Sequence, residues 1–309
     1  TDWSPAAGLT ACLTPSGHML GSAFVRLRSA QTSVLFSGDI GRPHDLVLAA
    51  PEKMAGADYL VVESTYGNRQ HPHTDPLVKL AEVVNAAAAR GGAVIIPAFA
   101  VGRAQTLLYC MHLLKAKGAI PDLPVYLNSP MAANATEIYR HYRSEHRLTP
   151  AQCEAMFKAA HIVNSPEESE ALNKKKGPMV IIAASGMATG GRVVHHLKAF
   201  MPHERNTILF AGYQAGGTRG AALLGGAKSV RIHGAEVAVR AHIESLDSFS
   251  AHADGGEIVD WLRGFSAPPQ RSFITHGEPD AADGMRQRIE RELGWACQVP
   301  DYLETVTLD

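Results

Sequence analysis

The sequence lacks several features that would assign it to a specialised class of protein. No apolar run in its 309 residues is long enough to span a bilayer, and no charged segment followed by an apolar one opens the chain. We therefore expect neither a membrane protein nor a secreted one. The four cysteines form no Cys-x-x-Cys pair, which argues against a zinc ribbon or a disulfide framework and favours a cytoplasmic protein.

The sequence also has no excess of charge of either sign. The 29 basic and 30 acidic side chains leave a net charge of −1. No global basic field therefore indicates a nucleic-acid partner, and any anion site must be local. Aromatic residues make up only 6% of the chain, so base stacking could involve a few side chains at most.

The remaining composition is that of a globular protein with many histidines. Hydrophobic residues make up 46% and charged residues 19%, which excludes general disorder and a fibrous chain. The length suits one large domain or two ordinary ones. The 15 histidines are the unusual feature, and a few of them in turns are candidate ligands.

Two patterns follow each other along the chain. Residues 8–40 contain short β segments separated by Pro, Ser and Gly. From about residue 59 apolar strands alternate with helical stretches, which predicts a largely parallel sheet covered by helices on both faces. The predicted helices are Pro76–Arg90, Gly102–Lys117, Ala132–His141, Gly191–Phe200, Gly256–Arg263 and Ala281–Leu293.

Polar side chains that can bind metal or transfer protons occur in tight turns, several of them at the ends of predicted strands. Strand ends are where open α/β sheets place their ligands, and imidazole and carboxylate are the donors that zinc takes. Each turn alone is more typical of a cap or an Asx turn, so their joint occurrence is what carries weight. The stretches are Ser16-Gly17-His18, Ser37-Gly38-Asp39, Val62–Gly67, Ser248–Asp254 and Thr275–Glu278.

In this order the stretches resemble the motifs of the β-CASP branch of the metallo-β-lactamase fold, a family of nucleases that process nucleic acids. The resemblance implies that His18 and His276 are metal ligands and that Asp39 bridges two zinc ions. It also implies that His252 is the catalytic general acid and that Glu63 orients it. A buried structural acid is the other interpretation of Glu63. Further matches lie at Pro97–Arg103, Asn128–Ala132, Ala184–Arg192 and Gly212–Gln214.

The resemblance implies an α/β architecture in two parts. A partial metallo-β-lactamase αββα domain would comprise residues 1–69 and 248–309, and an inserted β-CASP domain, a parallel sheet flanked by helices, would comprise residues 70–247. The Glu-Ser-Thr-Tyr-Gly and Gly-Tyr-Gln matches resemble bacterial and archaeal RNA-processing members, so RNA is the expected partner. Tyr66 and Tyr213 are the candidates for base stacking, although structural tyrosines are commoner. A homodimer is left open.

One departure from the family pattern concerns the metal site. The family's His-x-His-x-Asp-His cluster precedes the position of His18, and this chain has no such cluster there. The similar string His71-Pro72-His73-Thr74-Asp75-Pro76 lies elsewhere and is interpreted as a polar linker. A two-zinc hydrolase needs about four donors per metal. We expect this chain to be either a C-terminal fragment of a longer nuclease, which the start at Thr1-Asp2-Trp3 favours, or a natural protein that has lost part of its metal centre. In both cases we expect weak metal retention and little activity in this chain alone.

Substrate placement is predicted separately, in the Gly-rich stretch between a buried strand and a helix. Glycines let backbone N–H groups approach an anion, and the helix dipole favours negative charge there. A tight turn without a ligand is the other interpretation. The candidate substrate-binding residues are Ser185, Gly186, Met187, Gly190, Gly191 and Arg192, together with Arg103 in another such turn.

Three functions are consistent with these features. The favoured one is a zinc-dependent ribonuclease that hydrolyses RNA phosphodiester bonds by a two-metal mechanism. The second is a catalytically inert RNA-binding or scaffold subunit of an RNA-processing complex. The third is a hydrolase of the same fold that acts on DNA or a small metabolite.

Overall fold

The computed structural model describes residues 2–72, 75–246 and 249–308 and divides into two compact units. The first unit comprises residues 1–71 and 251–309, and the second comprises residues 72–250. The expected domain boundaries after residues 69 and 247 lie two and three residues from these divisions. None of the helices in the described part of the chain is long and apolar enough to cross a membrane.

The elements are numbered here in chain order. The strands are β1 (Asp2–Ala6), β2 (Leu9–Pro15), β3 (Ala23–Arg28), β4 (Ser33–Phe36), β5 (Tyr59–Glu63), β6 (Ala93–Pro97), β7 (Val125–Asn128), β8 (His161–Ile162), β9 (Met179–Ala183), β10 (Thr207–Phe210), β11 (Ser229–Ile232), β12 (Ala235–Ala238), β13 (His242–Ser245), β14 (Arg271–Thr275) and β15 (Cys297–Gln298). The α-helices are α1 (Pro76–Ala89), α2 (Arg103–Ala116), α3 (Pro130–His141), α4 (Pro150–Lys158), α5 (Pro166–Lys174), α6 (Val193–Phe200), α7 (Arg219–Leu224), α8 (Gly255–Leu262) and α9 (Pro279–Leu293).

The first unit is built on a mixed sheet with the strand order β1-β2-β3-β4-β5-β14-β15. Strands β1 to β4 form an antiparallel meander, and β4, β5, β14 and β15 run parallel. One face packs on α8 and α9 through a core that includes Leu60, Val259 and Met285. On the other face Leu13, Val25 and Phe36 pair in one cross-strand row, and Leu13 and Phe36 are 47% and 38% exposed. This cross-strand row is therefore apolar and partly open to solvent.

The second unit contains a six-stranded sheet with the order β13-β10-β6-β9-β7-β8. All its pairings are parallel, which confirms the predicted parallel sheet. Every residue of β6 and β9 is buried. Ile95 and Ile181 pack in a core with residues of α6, whereas Ile96 and Ile182 point to the opposite face and are also fully buried. Burial on both faces explains why these strands are uniformly apolar.

The predicted helices are present with ends shifted by one or two residues, and three helices were missed, namely α4, α5 and the six-residue α7. Helices α4 and α5 each begin at a proline. Thr149 and Ser165 cap them, with Gln152 and Glu168 completing capping boxes. Thr-Pro-x-Gln and Ser-Pro-x-Glu were therefore signals that could have found both helices. The Lys174-Lys175-Lys176 run lies at the exposed end of α5, where lysines complement the helix dipole.

A buried histidine joins several elements of the second unit. His196 on α6 is 0% exposed. Its Nδ1–H donates to Asn173 Oδ1 over 2.6 Å, and its Nε2 accepts from Asn128 Nδ2 over 2.6 Å. Burial first, then the charges of His195 and Arg192, lower its pKa to about 4. The structure therefore requires the neutral imidazole, because a proton on Nε2 would oppose the Asn128 donor.

This histidine should make the protein less stable in mild acid. In the unfolded chain His196 binds its proton at about pH 6.5, and in the folded chain only near pH 4. The contribution of His196 to the free energy of unfolding is therefore complete above pH 6.5 and decreases as the pH drops towards 4. We expect roughly 2 kcal/mol to be lost from this residue between pH 7.5 and 5. Urea unfolding at both pH values should show a smaller acid loss for His196→Gln than for wild type. An unchanged acid loss in the variant would contradict this assignment.

Candidate metal and catalytic site

Two glycine-containing turns of the first unit lie against each other. The turn after β2 carries His18, and the turn after β4 carries Asp39. Gly41 N–H donates to the Ser16 carbonyl over 2.8 Å, and Ser16 Oγ donates to the Asp39 carbonyl over 2.8 Å. A Cβ on Gly41 would lie 2.1 Å from the carbonyl carbon and oxygen of Gly17. Only glycine allows this approach, which holds the His18 and Asp39 side chains side by side.

Asp39 lies between two imidazoles. Its Oδ2 is 3.6 Å from His18 Nε2, and its Oδ1 is 3.4 Å from His276 Nδ1. His276 follows β14 and has a φ of 54°, a left-handed conformation that few residues other than glycine adopt. Thr65 Oγ1 donates to the His276 carbonyl over 3.2 Å, which ties this turn to the one after β5.

The second pair of the site is His252 and Glu63. His252 Nδ1 lies 3.1 and 3.0 Å from Glu63 Oε1 and Oε2. Glu63 ends β5 and is 1% exposed. Its carboxylate also accepts from Ile40 N–H over 2.6 Å and from Thr65 N–H over 3.4 Å. Burial alone would raise the Glu63 pKa, but the hydrogen bond and charge of His252 and the hydrogen bonds of Thr65 and Ile40 lower it on balance.

The His18 imidazole is held neutral next to these groups. Burial first, and then the neighbouring His252, lower its pKa to about 4 on balance, against the opposite effects of Asp39 and Glu63. Its Nδ1 is buried without a hydrogen-bond partner. The His18 and His252 rings lie 4.3 Å apart, and those of His252 and His276 lie 5.9 Å apart. All five residues implied by the sequence resemblance thus meet within the first unit.

The donor set fits a metal centre with Asp39 in the middle. Possible ligand atoms of His18, Asp39 and His252 lie within 4.8 Å of one another, and so do those of Asp39, Glu63 and His276. Asp39 belongs to both groups, as a carboxylate shared by two ions would. Neutral imidazole and carboxylate are zinc donors. Glu63 and His252 bond each other through His252 Nδ1, and His18, Asp39 and His276 stay the predicted ligands.

His71 belongs to the surroundings of this site, whereas the sequence interpretation placed it in a polar linker. It is 4% exposed. Its Nε2–H donates to the His252 carbonyl over 2.9 Å, and its backbone N–H donates to Asp254 Oδ2 over 2.7 Å. It therefore holds the loop that carries His252. No periodic signal marked it, since its burial depends on a segment 181 residues away. His73 lies outside the described residues.

The predicted substrate-binding residues lie in the second unit. Residues 185–191 form the turn after β9, where Gly190 N–H donates to Ser185 Oγ over 3.4 Å. The Arg192 guanidinium donates to Asn128 Oδ1 and to the carbonyls of Val163 and Asn164, so it joins β7 to the start of α6. Its predicted contact with phosphate, like those of the other residues in this turn, stays a prediction.

The remaining candidates for substrate contact are Arg103 and the two tyrosines, and the structure places them in different surroundings. Arg103 begins α2, and its Nη2 lies 3.4 Å from where a Cβ on Gly212 would be. Tyr66 is only 4% exposed and packs against His71, with ring centroids 4.8 Å apart, so it offers no face to a base. Tyr213 is partly buried.

Fold and site together define a metallo-β-lactamase-fold protein with an inserted β-CASP domain. Comparison with family models agrees: residues 104–223 match the Beta-Casp domain, and residues 236–300 match the Zn-dependent metallo-hydrolase RNA specificity domain. The chain belongs to the β-CASP family of metallo-β-lactamase-fold proteins, as the sequence motifs implied.

Several curated proteins resemble this chain. Ribonuclease TTHA0252 of Thermus thermophilus is 37% identical over 90% of this chain and 65% of its own length. Transcription termination factor FttA of Pyrococcus abyssi is 34% identical over 99% of this chain and 50% of its own. Integrator complex subunit 11 of Danio rerio is 32% identical over 95% of this chain and 49% of its own. The chain thus spans between 49% and 65% of the length of these relatives.

A solved structure supports the fold alone. The crystal structure of a protein of unknown function from Enterococcus faecalis matches 97% of this chain and 64% of its own, with a TM-score of 0.51 and 12% identity.

The contact between the two glycine turns can be tested by a single methyl group. Gly41→Ala places a Cβ against backbone atoms that cannot move aside, so we expect about 3 kcal/mol of destabilisation. Gly216→Ala is the matched control, because no atom lies within 4 Å of its added Cβ. Denaturant unfolding measures both. Equal stability of the two variants would show that the turns do not approach this closely.

The donor set can be tested by zinc titration of this chain. Three ligands for two ions predict weak retention, which we expect competition with a chromogenic chelator to show. Asp39→Asn should weaken zinc binding at least about tenfold, since it removes a charged donor shared by both groups. Asp260→Asn, 72% exposed on α8, is the control. Zinc affinity unaltered by Asp39→Asn would remove Asp39 from the ligand set.

Proposed function

We propose that this protein is a metal-dependent ribonuclease that hydrolyses phosphodiester bonds of RNA. The observation that carries the proposal is the convergence of His18, Asp39 and His276 beside the hydrogen-bonded pair of His252 and Glu63. The name of the Thermus relative and the description of the RNA specificity domain support RNA as the substrate.

His18, Asp39 and His276 would hold zinc, two ions in a complete site, with further donors from outside this set. Bound zinc would supply Lewis acidity that stabilises negative charge on the phosphate oxygens. The protein's own contribution is to keep the His18 imidazole neutral through burial, and so able to donate its lone pair. The turns that meet at Gly17 and Gly41 hold Asp39 beside it.

His252 would protonate the leaving oxygen. Its Nδ1–H donates to Glu63, which leaves Nε2 as the nitrogen that carries the transferable proton. The Glu63 carboxylate stabilises the imidazolium and fixes the ring orientation. His71 and the Ile40 carbonyl hold the backbone on either side, since His71 bonds the His252 carbonyl and Ala253 N–H donates to Ile40 over 2.8 Å.

An inert RNA-binding or scaffold subunit is the second candidate. It is favoured by the donor number, because three ligands among the residues described are too few for two ions. The intact bond between His252 and Glu63 argues against it. A scaffold has no need of a buried carboxylate that orients a histidine.

The proposal is tested with the full-length gene product and a labelled single-stranded RNA. His252→Ala should lower the rate of hydrolysis by about 10²-fold or more, the contribution of a general acid. Glu63→Gln should lower it less, because the ring is kept but its imidazolium is no longer stabilised. His203→Ala, an exposed histidine of the second unit, is the control. Equal rates for wild type and His252→Ala would exclude His252 from catalysis, and a wild type that cleaves no RNA would favour the scaffold.

A further inference from the structure

Phe99 is a large aromatic side chain that the structure leaves open to solvent in a rigid setting. It is 49% exposed and lies in the loop between β6 and α2. The backbone around it is fixed, because Ala98 N–H donates to the Ala183 carbonyl over 3.0 Å and Ala104 N–H donates to the Phe99 carbonyl over 3.2 Å. The ring is therefore held in place by the end of the sheet.

One part of the ring rests on the backbone of the Gly-rich turn after β9. A Cβ on Gly186 would lie 2.8 and 2.9 Å from Phe99 Cδ2 and Cε2. Any side chain at this position would displace the ring. The packing of Phe99 therefore requires glycine at 186, and it leaves about half of the Phe99 surface in contact with water.

Loops from three neighbouring parallel strands meet around this ring. β10, β6 and β9 are adjacent in the sheet, and their carboxyl ends lead into the loops of Gly212, Phe99 and Gly186. Gln214 Nε2 donates to the Gly186 carbonyl over 3.1 Å, and the Arg103 guanidinium lies against Gly212. The carboxyl edge of a parallel sheet is where α/β proteins bind ligands.

The chemistry of this edge suits an unpaired nucleobase. The exposed ring offers an apolar π surface, and the loops beside it carry the Gln214 amide, bonded to Gly186, and the Arg103 guanidinium, against Gly212. A protein partner would require a broader apolar patch. A base needs only one flat surface, and its phosphates would find the positive charge of Arg103 nearby.

We propose that Phe99 is a stacking platform for an unpaired base of single-stranded RNA, in a subsite of the second unit. The inference rests on the proposed function for the identity of the ligand. It replaces Tyr66, which is buried, as the base-stacking residue.

The test is the affinity of this chain for a fluorescein-labelled oligouridylate and oligoadenylate in EDTA, where no hydrolysis occurs. Phe99→Ala should weaken binding roughly 5- to 150-fold, the range for one stacked base. Phe99→Tyr should bind within about twofold of wild type. Phe99→Leu keeps an apolar side chain against Gly186 but has no π surface, so it should bind as weakly as the alanine variant.

Two further measurements separate stacking from a structural role. The dependence of affinity on salt should be the same for wild type and Phe99→Ala, since the ring neutralises no phosphate. An RNA with 2-aminopurine should show quenched fluorescence with wild type and Phe99→Tyr only. Tyr142→Ala, which removes an aromatic ring 59% exposed at the end of α3, is the matched control and should bind like wild type.

The outcomes distinguish this inference from the proposed function. Full affinity of Phe99→Ala or Phe99→Leu overturns the stacking role, and so does a wild-type chain that binds no single-stranded RNA. Binding that depends on the ring, combined with a full-length protein that cleaves no RNA, supports the stacking site and overturns only the nuclease.

Discussion

The first unit depends on one buried carboxylate. Glu63 is almost inaccessible to water and would be costly to bury unless its oxygens were fully hydrogen-bonded. Ile40 N–H, Thr65 N–H and His252 supply these bonds. The three donors come from the turn after β4, the turn after β5 and the loop before α8, so satisfying one acid brings three distant segments together.

The remaining geometry of the site follows from this arrangement. The Ile40 N–H donates to Glu63. Ile40 stands in the sequence between Asp39 and Gly41, and Gly41 contacts the turn that carries His18. The loop of His252 is bonded to Ile40 on one side and to His71 on the other. Asp254, two residues along, caps α8 and accepts from His71 N–H. The predicted metal donors and the proposed general acid are therefore positioned by a single hydrogen-bonded network, which explains how separate turns can keep these side chains close together.

Polar and aromatic side chains are placed differently at the Gly-rich turn of the second unit. The Arg192 guanidinium donates to Asn128, Val163 and Asn164 within the unit, and its predicted contact with phosphate stays a prediction. Phe99, which has no charge, is exposed at the same edge of the sheet. A buried network that includes His196, Asn128 and Arg192 uses some of the polar groups of this unit, whereas the Phe99 ring is half exposed.

The sequence by itself determined the parallel sheet, most helices and the residue types of the site. Apolar runs such as β6 and β9 are uniform because both faces are buried, and local caps and glycines set the helix ends. The turns of His18, Asp39, Glu63, His252 and His276 were recognisable because each has a short local pattern. Only the tertiary structure decided that His71 is buried against the His252 loop and that Phe99 is exposed beside Gly186. Burial and exposure of these residues depend on segments far away in sequence, and no local pattern of residues encodes such contacts.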